Sequence, residues 1–313
     1  MGEFDLIARY FTRPCRDAAL GVGDDCALLG TLPAGMQWAI STDMLVSDRH
    51  FWADVEPQAL GHKALAVNLS DLAAMGARPR AFTLAMALPE INEPWLAGFA
   101  QGMWALADQH GCELIGGDTT RGPLNICITV FGEVPAMQAL RRDAAQANDD
   151  VWVSGTLGDA AWALTLMQSS QPLPADARNR LERPTPRIEL GLRLRGLAHA
   201  CMDLSDGLGG DLKHLLQASG VGAAIELSQL PTSPLLQVLP AEQQRHLSLS
   251  GGDDYELLFT AAPNKREALQ VLAADLGVPL TRIGSITPQP GLVFLDHGSP
   301  VPAEFGGYDH FSN

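Results

Sequence analysis

The stretch Lys63–Gly76 reads KALAVNLSDLAAMG and lies within a segment, 60–77, whose pattern predicts a helix. Its large apolar residues recur at spacings of four and three, so they form one stripe along that helix: Leu65, Leu69 and Leu72. Gly76 follows as a C-terminal stop signal. Asn68 and Asp71 lie three apart on a neighbouring face, which places an amide and a carboxylate beside the apolar stripe.

Strands are predicted on either side of this helix. Residues 37–41 are predicted to form a buried strand that ends in Thr42-Asp43, and residues 81–88 alternate large apolar residues with small ones. A further helix is predicted over 94–110, because it begins with proline and is followed by glycine. Strands and helices alternate again after residue 150. The pattern predicts an α/β or α+β protein.

The pattern is interrupted between residues 135 and 150. This segment has no apolar periodicity and ends in Asn148-Asp149-Asp150, residues typical of turns. A chain of 313 residues is long enough for two domains. We therefore predict an N-terminal domain over 1–137, a linker over 138–150 and a C-terminal domain over 151–313.

Charge and cysteine content disfavour several classes of protein. With 21 basic and 36 acidic residues the net charge is −15, which argues against nucleic acid or an anionic membrane surface as the main partner. The five cysteines are scattered and form no C-x-x-C pair, as expected in a reducing compartment. The N-terminus does not resemble a signal peptide, and the apolar runs are too short to span a bilayer. These features predict a cytoplasmic protein.

Two common phosphate-binding motifs are absent from the sequence. The run Gly21-Val22-Gly23 begins like a dinucleotide fingerprint, but Asp24 and Asp25 follow where that motif requires the start of a helix. A Walker A loop is excluded because no lysine lies in G-x-x-x-x-G-K-[ST]; the lysines are Lys63, Lys213 and Lys265.

Acidic residues recur at glycine- or serine-bearing turns along the chain. Any one of them alone would be an ordinary turn or helix-cap residue, so only their recurrence suggests a site. Several follow a predicted strand, at the kind of edge where α/β sheets bind ligands. The segments are Gly23-Asp24-Asp25, Ser41-Thr42-Asp43, Ser70-Asp71, Gly116-Gly117-Asp118, Asp203-Leu204-Ser205-Asp206 and Gly251-Gly252-Asp253-Asp254.

A pocket that gathers these carboxylates requires cations. Two carboxylates about 4 Å apart repel each other by roughly 4 kcal/mol at an effective dielectric constant near 20. Ligands that are all oxygen select hard ions, Mg²⁺ first and Mn²⁺ or Ca²⁺ next. Calcium storage is the alternative, but the EF-hand spacing is absent. Because Mg²⁺ is usually shared with substrate phosphates, the pattern predicts an enzyme that binds several Mg²⁺ ions together with ATP.

At this point the segments match a known family. The chain resembles bacterial thiamine-monophosphate kinases over almost its whole length, from Gly2-Glu3-Phe4 to 307–311. Any one segment is a weak signal, whereas all of them in this order are specific. The matching segments are Gly21–Leu28 (GVGDDCAL), Ile40–Asp43 (ISTD), Lys63–Gly76, Leu114–Pro123 (LIGGDTTRGP), Asp203–Leu208 (DLSDGL) and Leu249–Leu257 (LSGGDDYEL).

The resemblance implies ATP-dependent phosphorylation of thiamine monophosphate to thiamine diphosphate. It also implies the two-domain fold of the aminoimidazole-ribotide-synthetase-like superfamily, with mixed sheets and helices. Members of the family are usually homodimers joined through their N-terminal sheets. We therefore expect thiamine monophosphate and ATP as substrates, and a second copy of the chain as partner.

The resemblance also assigns roles to residues of this chain. The implied Mg²⁺ ligands are Asp25, Ser41, Thr42, Asp43, Asp71, Asp118, Asp203 and Asp206. The implied ATP contacts are Gly117, Asp118, Arg142 and Ser205. The implied contacts to thiamine monophosphate are His50, Asp253 and Tyr308.

The sequence departs from the family pattern or leaves a choice at a few of these positions. The family often has Glu where this chain has Asp253, so the shorter side chain has less reach. Arg141 is an alternative to Arg142 as the ATP contact. Arg121 is a reserve candidate for binding phosphate, and Asp24 for binding a metal.

The acceptor's chemistry favours direct in-line transfer of the phosphoryl group. A phosphate monoester has a second pKa of about 6 and is already ionised at neutral pH, so no strong general base is required. A phosphoenzyme route is the alternative mechanism. Alternative functions are those of other ATP-dependent superfamily enzymes, namely a ribotide cyclase, a selenophosphate synthetase or a hydrogenase-maturation protein. A non-catalytic metal- or nucleotide-binding regulator is the alternative from another class.

Overall fold

The computed structural model describes residues 2–16 and 18–302. The chain divides into two compact units: the first contains the chain through Leu72 together with Ala77–Met137, and the second contains Ala73–Gly76 and the chain from Gln138. The linker over 138–150 stays a prediction. None of the helices within the described residues is both long and apolar enough to cross a membrane.

The first unit combines helices with a four-stranded sheet and a two-stranded one. Its helices are α1 (Glu3–Leu6), which continues as a π-helical turn (Ile7–Phe11), α2 (Pro57–Ala74) and α3 (Glu93–His110). Its strands are β1 (Ala18–Leu20), β2 (Leu28–Leu29), β3 (Met36–Val46), β4 (Arg78–Leu88), β5 (Glu113–Arg121) and β6 (Asn125–Pro135).

The four-stranded sheet has one buried face and one accessible face. Its order is β3-β6-β4-β5, and it is mixed because only the β4–β5 pair is parallel. Residues of β6 alternate between buried and half-buried, as a strand covered on one side requires. Leu72 of α2 lies against Gly132 on the covered face. The predicted stripe of α2 is confirmed as core, with side chains that are at most 1% exposed: Leu65, Leu69 and Leu72.

The second unit is built on a seven-stranded mixed sheet of order β13-β12-β9-β11-β7-β10-β8. Its helices are α4 (Asp159–Gln168), α5 (Ala175–Glu182), α6 (Ile188–Leu194), α7 (Leu208–Ser219), α8 (Ala241–Ser250) and α9 (Arg266–Leu276). Its strands are β7 (Asp150–Ser154), β8 (Ala200–Asp203), β9 (Gly222–Glu226), β10 (Leu257–Ala261), β11 (Leu280–Thr287), β12 (Gly291–Asp296) and β13 (Ser299–Val301).

Strand pairing in the second unit brings three loops together at one edge of the sheet, the edge at which β7 and β8 end and β10 begins. β10 lies between β7 and β8 and is antiparallel to both, with Leu257 opposite Asp203 and Leu258 opposite Val153. The segments that follow β7 and β8 therefore meet the segment that precedes β10. Below this edge lies a core that includes Val153, Met202 and Leu258.

The predicted fold class, a mixed α/β protein, is confirmed. The local structure of two acidic segments differs from the prediction of turns, because Thr42-Asp43 lies inside β3 and Gly116-Gly117-Asp118 lies inside β5. The strands extend through these polar residues because their backbone groups are paired with neighbouring strands, and such long-range pairing cannot be read from local composition. Ser70-Asp71 lies inside α2, in agreement with the helix predicted over 60–77.

Candidate active site

In the first unit, β3 and α2 bring together three of the predicted metal ligands. The Ser41 hydroxyl donates to Asp71 at 2.5 Å, and the Asp43 backbone N–H donates to the Asn68 side-chain oxygen at 3.0 Å. Asn68 is held in turn by donating to the Ala64 carbonyl of its own helix at 3.0 Å. Ser41, Asp43 and Asp71 thus form a half-buried cluster of oxygen donors on the covered face of the sheet.

Thr42 points to the other face, because side chains alternate along a strand. Its hydroxyl pairs with that of Thr129 on β6 at 2.8 Å. The side chain of Thr42 therefore does not join the cluster formed by Ser41, Asp43 and Asp71.

Two other predicted ligands line a separate cavity of the first unit. Asp25 and Asp118, with Gly117 and Asp24, border a space of about 1020 Å³ whose remaining walls are largely apolar. Both carboxylates are exposed, and neither accepts a hydrogen bond from a residue in the described part of the chain. A space of this size suits a ligand as large as a nucleotide.

Gly117 can be no other residue in this backbone. Its φ is +148°, and a Cβ atom would lie 1.8 Å from the Leu84 carbonyl oxygen on the neighbouring strand. The absent side chain lets β5 lie directly against β4 beside Asp118. This requirement explains the second glycine of the Gly116-Gly117-Asp118 segment.

Asp43 and Asp118 do not meet within one sheet. They lie on β3 and β5, the two edge strands, which are separated by three strand spacings or roughly 14 Å. The pairing Met44–Cys127–Ala85–Asp118 also puts Asp118 on the accessible face, opposite to Asp43. The first unit therefore carries two groups of oxygen donors rather than one.

His50 lies just after the end of β3. Its Nδ1 accepts the Val46 backbone N–H at 3.0 Å, and its carbonyl accepts Lys63 Nζ at 3.5 Å. An acceptor Nδ1 is unprotonated, so the proton of the neutral ring is on Nε2. The structure thus assigns His50 a local role in the turn, and its contact to substrate stays a prediction.

In the second unit, the edge described above gathers the predicted residues of the DLSDGL and GGDDYEL segments. The Asp253 backbone N–H donates to the Ser205 carbonyl at 2.9 Å, and the Tyr255 N–H donates to the Leu204 carbonyl at 2.8 Å. The Leu204 N–H donates to the Glu256 carbonyl at 2.9 Å. These bonds join the predicted ATP contact Ser205 directly to the predicted substrate contact Asp253.

The metal candidates Asp203 and Asp206 flank Ser205 at this edge. Asp203 ends β8 and is 5% exposed, whereas Asp206 is half-buried. Asp211, in the first turn of α7, accepts the backbone N–H groups of Ser205 and Asp206, both at 3.1 Å. Burial raises the pKa of Asp211 to about 7, although these N–H donors act in the opposite direction.

Asp211 is a residue that sequence reasoning missed. The available signal was a carboxylate in the first turn of the helix that follows DLSDG, a position from which it can reach the preceding loop. The structure shows its function in the loop, which is to fix two successive backbone amides.

The two candidate arginines before β7 have different surroundings. Arg141 is paired with Asp143 through two hydrogen bonds, one of them 2.8 Å from Arg141 Nε. The positive charge of Arg142 offsets a small part of the rise that burial causes in the pKa of Asp211, and the Arg142 carbonyl accepts a hydrogen bond from Ser219 Oγ at 2.7 Å. This arrangement favours Arg142 over Arg141 as the residue that serves the site.

A network of buried charges behind the edge was also missed. Asp254 accepts the Gly158 N–H at 2.9 Å and 3.0 Å, and its burial raises its pKa well above the ordinary value. Glu256 is 1% exposed and is bonded to Arg187 and Arg180. Glu256 lies in the GGDDYEL segment, Arg180 in α5 and Arg187 just before α6. These segments are far apart in sequence, so no local pattern predicted their contact.

Comparison with known proteins gives the family. The model of the AIR synthase related protein N-terminal domain matches residues 23–134, and that of the C-terminal domain matches residues 146–297. Thiamine-monophosphate kinase of Salmonella typhimurium is 47% identical over 321 residues, which cover 99% of this chain and 98% of the relative. The chain belongs to the thiamine-monophosphate kinase family.

Solved structures of thiamine-monophosphate kinases have the same fold. That from Stenotrophomonas maltophilia K279a superposes with a TM-score of 0.86 at 50% identity and covers 95% of this chain and 96% of its own. A complex of AaThiL with AMPPCP and TMP gives a TM-score of 0.77 at 30% identity, with coverage of 99% and 97%. The resemblance inferred from the motifs is thereby confirmed.

The residues of this thiamine-monophosphate kinase family member fit Mg²⁺ in their donor chemistry. Across residues 2–16 and 18–302, no three His, Cys, Asp or Glu residues form a group that could hold a metal ion by themselves. Oxygen donors such as Ser41, Asp43 and Asp71 instead occur in small groups. Mg²⁺ usually takes one or two carboxylates and completes its shell with water and substrate phosphates, so small groups are what it requires.

One predicted substrate contact, Tyr308, lies outside the described residues.

Proposed function

We propose that this chain transfers the γ-phosphoryl group of ATP to thiamine monophosphate and releases thiamine diphosphate and ADP. Family membership over 99% of the chain supports the reaction. The observation that carries the proposal to particular residues is the backbone junction of Ser205 with Asp253 at 2.9 Å. It joins the candidate ATP contact to the candidate acceptor contact, as transfer between two bound substrates requires.

The residues proposed to bind Mg²⁺ are the oxygen donors of both units: Asp25, Ser41, Thr42, Asp43, Asp71, Asp118, Asp203 and Asp206. When bound, Mg²⁺ would offset the negative charge of the phosphate groups and stabilise the departing ADP. Ser205, Gly117 and Arg142 are proposed to bind ATP. Arg142 suits this role because a guanidinium binds phosphate oxygens in a bidentate manner.

Asp253 is proposed to bind the cationic part of thiamine monophosphate, with His50 and Tyr308 as further contacts. A carboxylate suits the positive thiazolium ring, whereas it would repel the phosphate. The acceptor phosphate oxygen is itself the nucleophile, so the chain's residues orient it and exclude water rather than remove a proton. Direct in-line transfer follows from this assignment.

We also propose that the protein is a cytoplasmic homodimer formed through the accessible face of the four-stranded sheet. Ile40 is 59% and Met44 is 51% exposed, and both lie on the accessible face of the edge strand β3 because side chains alternate along a strand. Exposed apolar residues that share one face are a feature of protein–protein interfaces. A second copy is the proposed occupant because an edge strand with apolar side chains favours self-association.

The dimer is tested by sedimentation of the Met44→Asp variant. A charge in the proposed interface should convert the protein to a monomer, because burying an unpaired carboxylate is costly. The matched control is Val271→Asp on α9 of the second unit, since Val271 is 56% exposed and outside the interface. Identical sedimentation of the parent and Met44→Asp would contradict the proposal.

The reaction is tested with purified protein, Mg²⁺-ATP and thiamine monophosphate, with the products separated by chromatography. The parent should form thiamine diphosphate, and Asp71→Asn should lose at least about 100-fold in rate because it removes an oxygen donor from the cluster with Ser41. Asp176→Asn, at an exposed acid on α5, is the control and should keep full activity. ATP binding without thiamine diphosphate would discard the kinase assignment. Labelled phosphate retained on the protein would contradict direct transfer.

A further inference from the structure

The segment 251–256 has an unusual backbone next to the proposed substrate site. Asp253 has φ +68° and Tyr255 has φ +49°, both in the left-handed region. Aspartate adopts this region more readily than most residues, but for a bulky tyrosine it is an outlier. Each such residue costs about 1–3 kcal/mol and persists only where its surroundings hold it. Contacts with the surrounding structure must therefore hold the backbone of this segment in place.

A buried cluster holds the C-terminal end of the segment. Glu256 accepts Arg187 Nε at 2.7 Å and Arg187 Nη2 at 2.5 Å, which is a bidentate pair. It also accepts Ser154 Oγ at 2.6 Å and Arg180 Nη2 at 3.2 Å. We call Glu256, Arg187, Arg180 and Ser154 the anchor cluster. Burial acts to lower the pKa of the Arg187 guanidinium, but its hydrogen bonds and ion pair with Glu256 raise that pKa overall, so Arg187 stays charged.

The turn after β7 is shaped to receive this cluster. A Cβ atom on Gly155 would lie 2.1 Å from Glu256 Oε1, and the φ of Gly155 is +59°, so no side chain can stand there. The Gly158 N–H from the same turn donates to Asp254. Asp254 and Glu256 are thus both fixed on the sheet side, while the residues between and before them take left-handed backbone.

The fixed segment is hydrogen-bonded in turn to the DLSDGL segment, which contains the proposed ATP contact Ser205. Asp253 N–H donates to the Ser205 carbonyl, and Leu204 exchanges backbone hydrogen bonds with Tyr255 and Glu256. A change in the position of Glu256 would therefore move Asp253 relative to Ser205. Stability alone does not account for the anchor cluster, because a buried ion pair is commonly no more stabilising than apolar residues of the same volume.

We propose, on the basis of the function proposed above, that Arg187 and Glu256 are positioning residues for the phosphoryl transfer. They act through the 251–256 segment, and they set Asp253 at a fixed place beside Ser205. Neither residue is assigned contact with substrate. Their charge and bidentate geometry, rather than their volume, determine how well thiamine monophosphate binds.

The test is a double-mutant cycle of Arg187→Lys and Asp253→Ala, followed by KM and kcat measurements. Lysine keeps the charge of Arg187 but loses the planar fork, so the protein should fold while the segment loosens. We expect Arg187→Lys to raise the KM for thiamine monophosphate about tenfold and to change kcat of the folded enzyme by less than about threefold. In the Asp253→Ala background, Arg187→Lys should raise this KM no further.

The matched control is Arg266→Lys. Arg266 also makes a bidentate pair, 2.6 Å and 2.7 Å, with a carboxylate that is 3% exposed, that of Asp150 at the other end of β7. It should leave the KM unchanged. Thermal unfolding of every variant establishes that it is folded.

The outcomes separate the positioning role from the reaction itself. An active parent whose KM is unaffected by Arg187→Lys overturns the positioning role, and so does a lower melting temperature with unchanged KM. Additive effects of Arg187→Lys and Asp253→Ala on the KM overturn it as well, because the two residues would then act independently. A parent that forms no thiamine diphosphate overturns the proposed function, and the positioning role with it.

Discussion

Two sets of acidic residues, one in each unit, have opposite surroundings. In the first unit Asp25 and Asp118 are exposed, and neither carboxylate is bonded to another of the residues described. In the second unit Asp211, Asp254 and Glu256 are at most 4% exposed, and each accepts hydrogen bonds from backbone or arginine groups.

This difference separates two uses of a carboxylate. A carboxylate left in water beside a cavity remains available to an external cation, at little cost to folding. A carboxylate removed from water must be matched by the protein, and it then orders the backbone that matches it. We infer that Asp25 and Asp118 matter mainly for binding, whereas Asp211, Asp254 and Glu256 matter mainly for structure and positioning.

The largest effect is expected from Glu256→Ala. It leaves the guanidinium of Arg187 buried without its partner, which should lower the free energy of unfolding by about 3–5 kcal/mol. Denaturant unfolding of parent and variant measures this. The double variant Glu256→Ala/Arg187→Met is the control and should recover part of the loss. An unchanged unfolding midpoint for Glu256→Ala would contradict the structural role inferred for the buried acids of the second unit.

Gly117→Ala tests whether the first unit depends on its backbone rather than on its carboxylates. The Cβ would lie 1.8 Å from the Leu84 carbonyl oxygen, so we expect a loss of about 2–4 kcal/mol in unfolding free energy. The neighbouring Gly116→Ala is a matched control, because a Cβ there meets nothing within 4 Å. It should cost less than about 1 kcal/mol. Equal losses in the two variants would show that the close approach to Leu84 is unimportant.

Asp118→Asn should lower activity while leaving stability almost unchanged. Because the carboxylate is exposed, the unfolding free energy should change by less than about 0.5 kcal/mol. The rate of thiamine diphosphate formation should fall at least about 100-fold, since a neutral amide replaces a carboxylate that is proposed to bind Mg²⁺. Raising the Mg²⁺ concentration should restore part of the rate. If Asp118→Asn were destabilised but fully active, the binding role proposed for Asp118 would be contradicted.

The smallest effect is expected at Glu226, an acid of the second unit that lies at its surface. Hydrogen bonds from Ser228, His297 and Gly298 lower the pKa of Glu226 to about 2, with the Ser228 side chain as the largest influence. The stabilisation is therefore present above about pH 4.5 and lost as the pH falls toward 2. Glu226→Gln should lower stability by less than about 1 kcal/mol at pH 7 and by nothing near pH 2.

Thermal unfolding as a function of pH measures the Glu226 effect. Glu242→Gln, which also removes an exposed carboxylate of the second unit, on α8, is the matched control. A difference between Glu226→Gln and the parent that grows as the pH falls would contradict the sign of the prediction.

The motifs predicted the family, and the alternation of strands and helices predicted the fold class. Apolar spacing predicted α2, and the proline and glycine signals predicted α3. Leu65, Leu69 and Leu72 were placed correctly in the core, since a helix has the same period wherever it lies. Spacing did not predict that Thr42 and Asp43 continue β3 and point to opposite faces. That result depends on pairing with β6, whose partner residues lie almost ninety positions away for Thr42 and Thr129.

The sequence by itself determined the composition of the site. Glycine and aspartate at fixed spacing specify where the backbone can approach closely and where oxygen donors stand, and these are properties of single residues and their neighbours. Only the tertiary structure decided which carboxylates stay in water and which are enclosed. Asp118 and Glu256 are both carboxylates in segments that contain paired glycines. Strand order leaves Asp118 on an edge strand of its sheet and puts Glu256 against Arg187. Burial and ion pairing arise between segments that are distant along the chain, so no local pattern contains them.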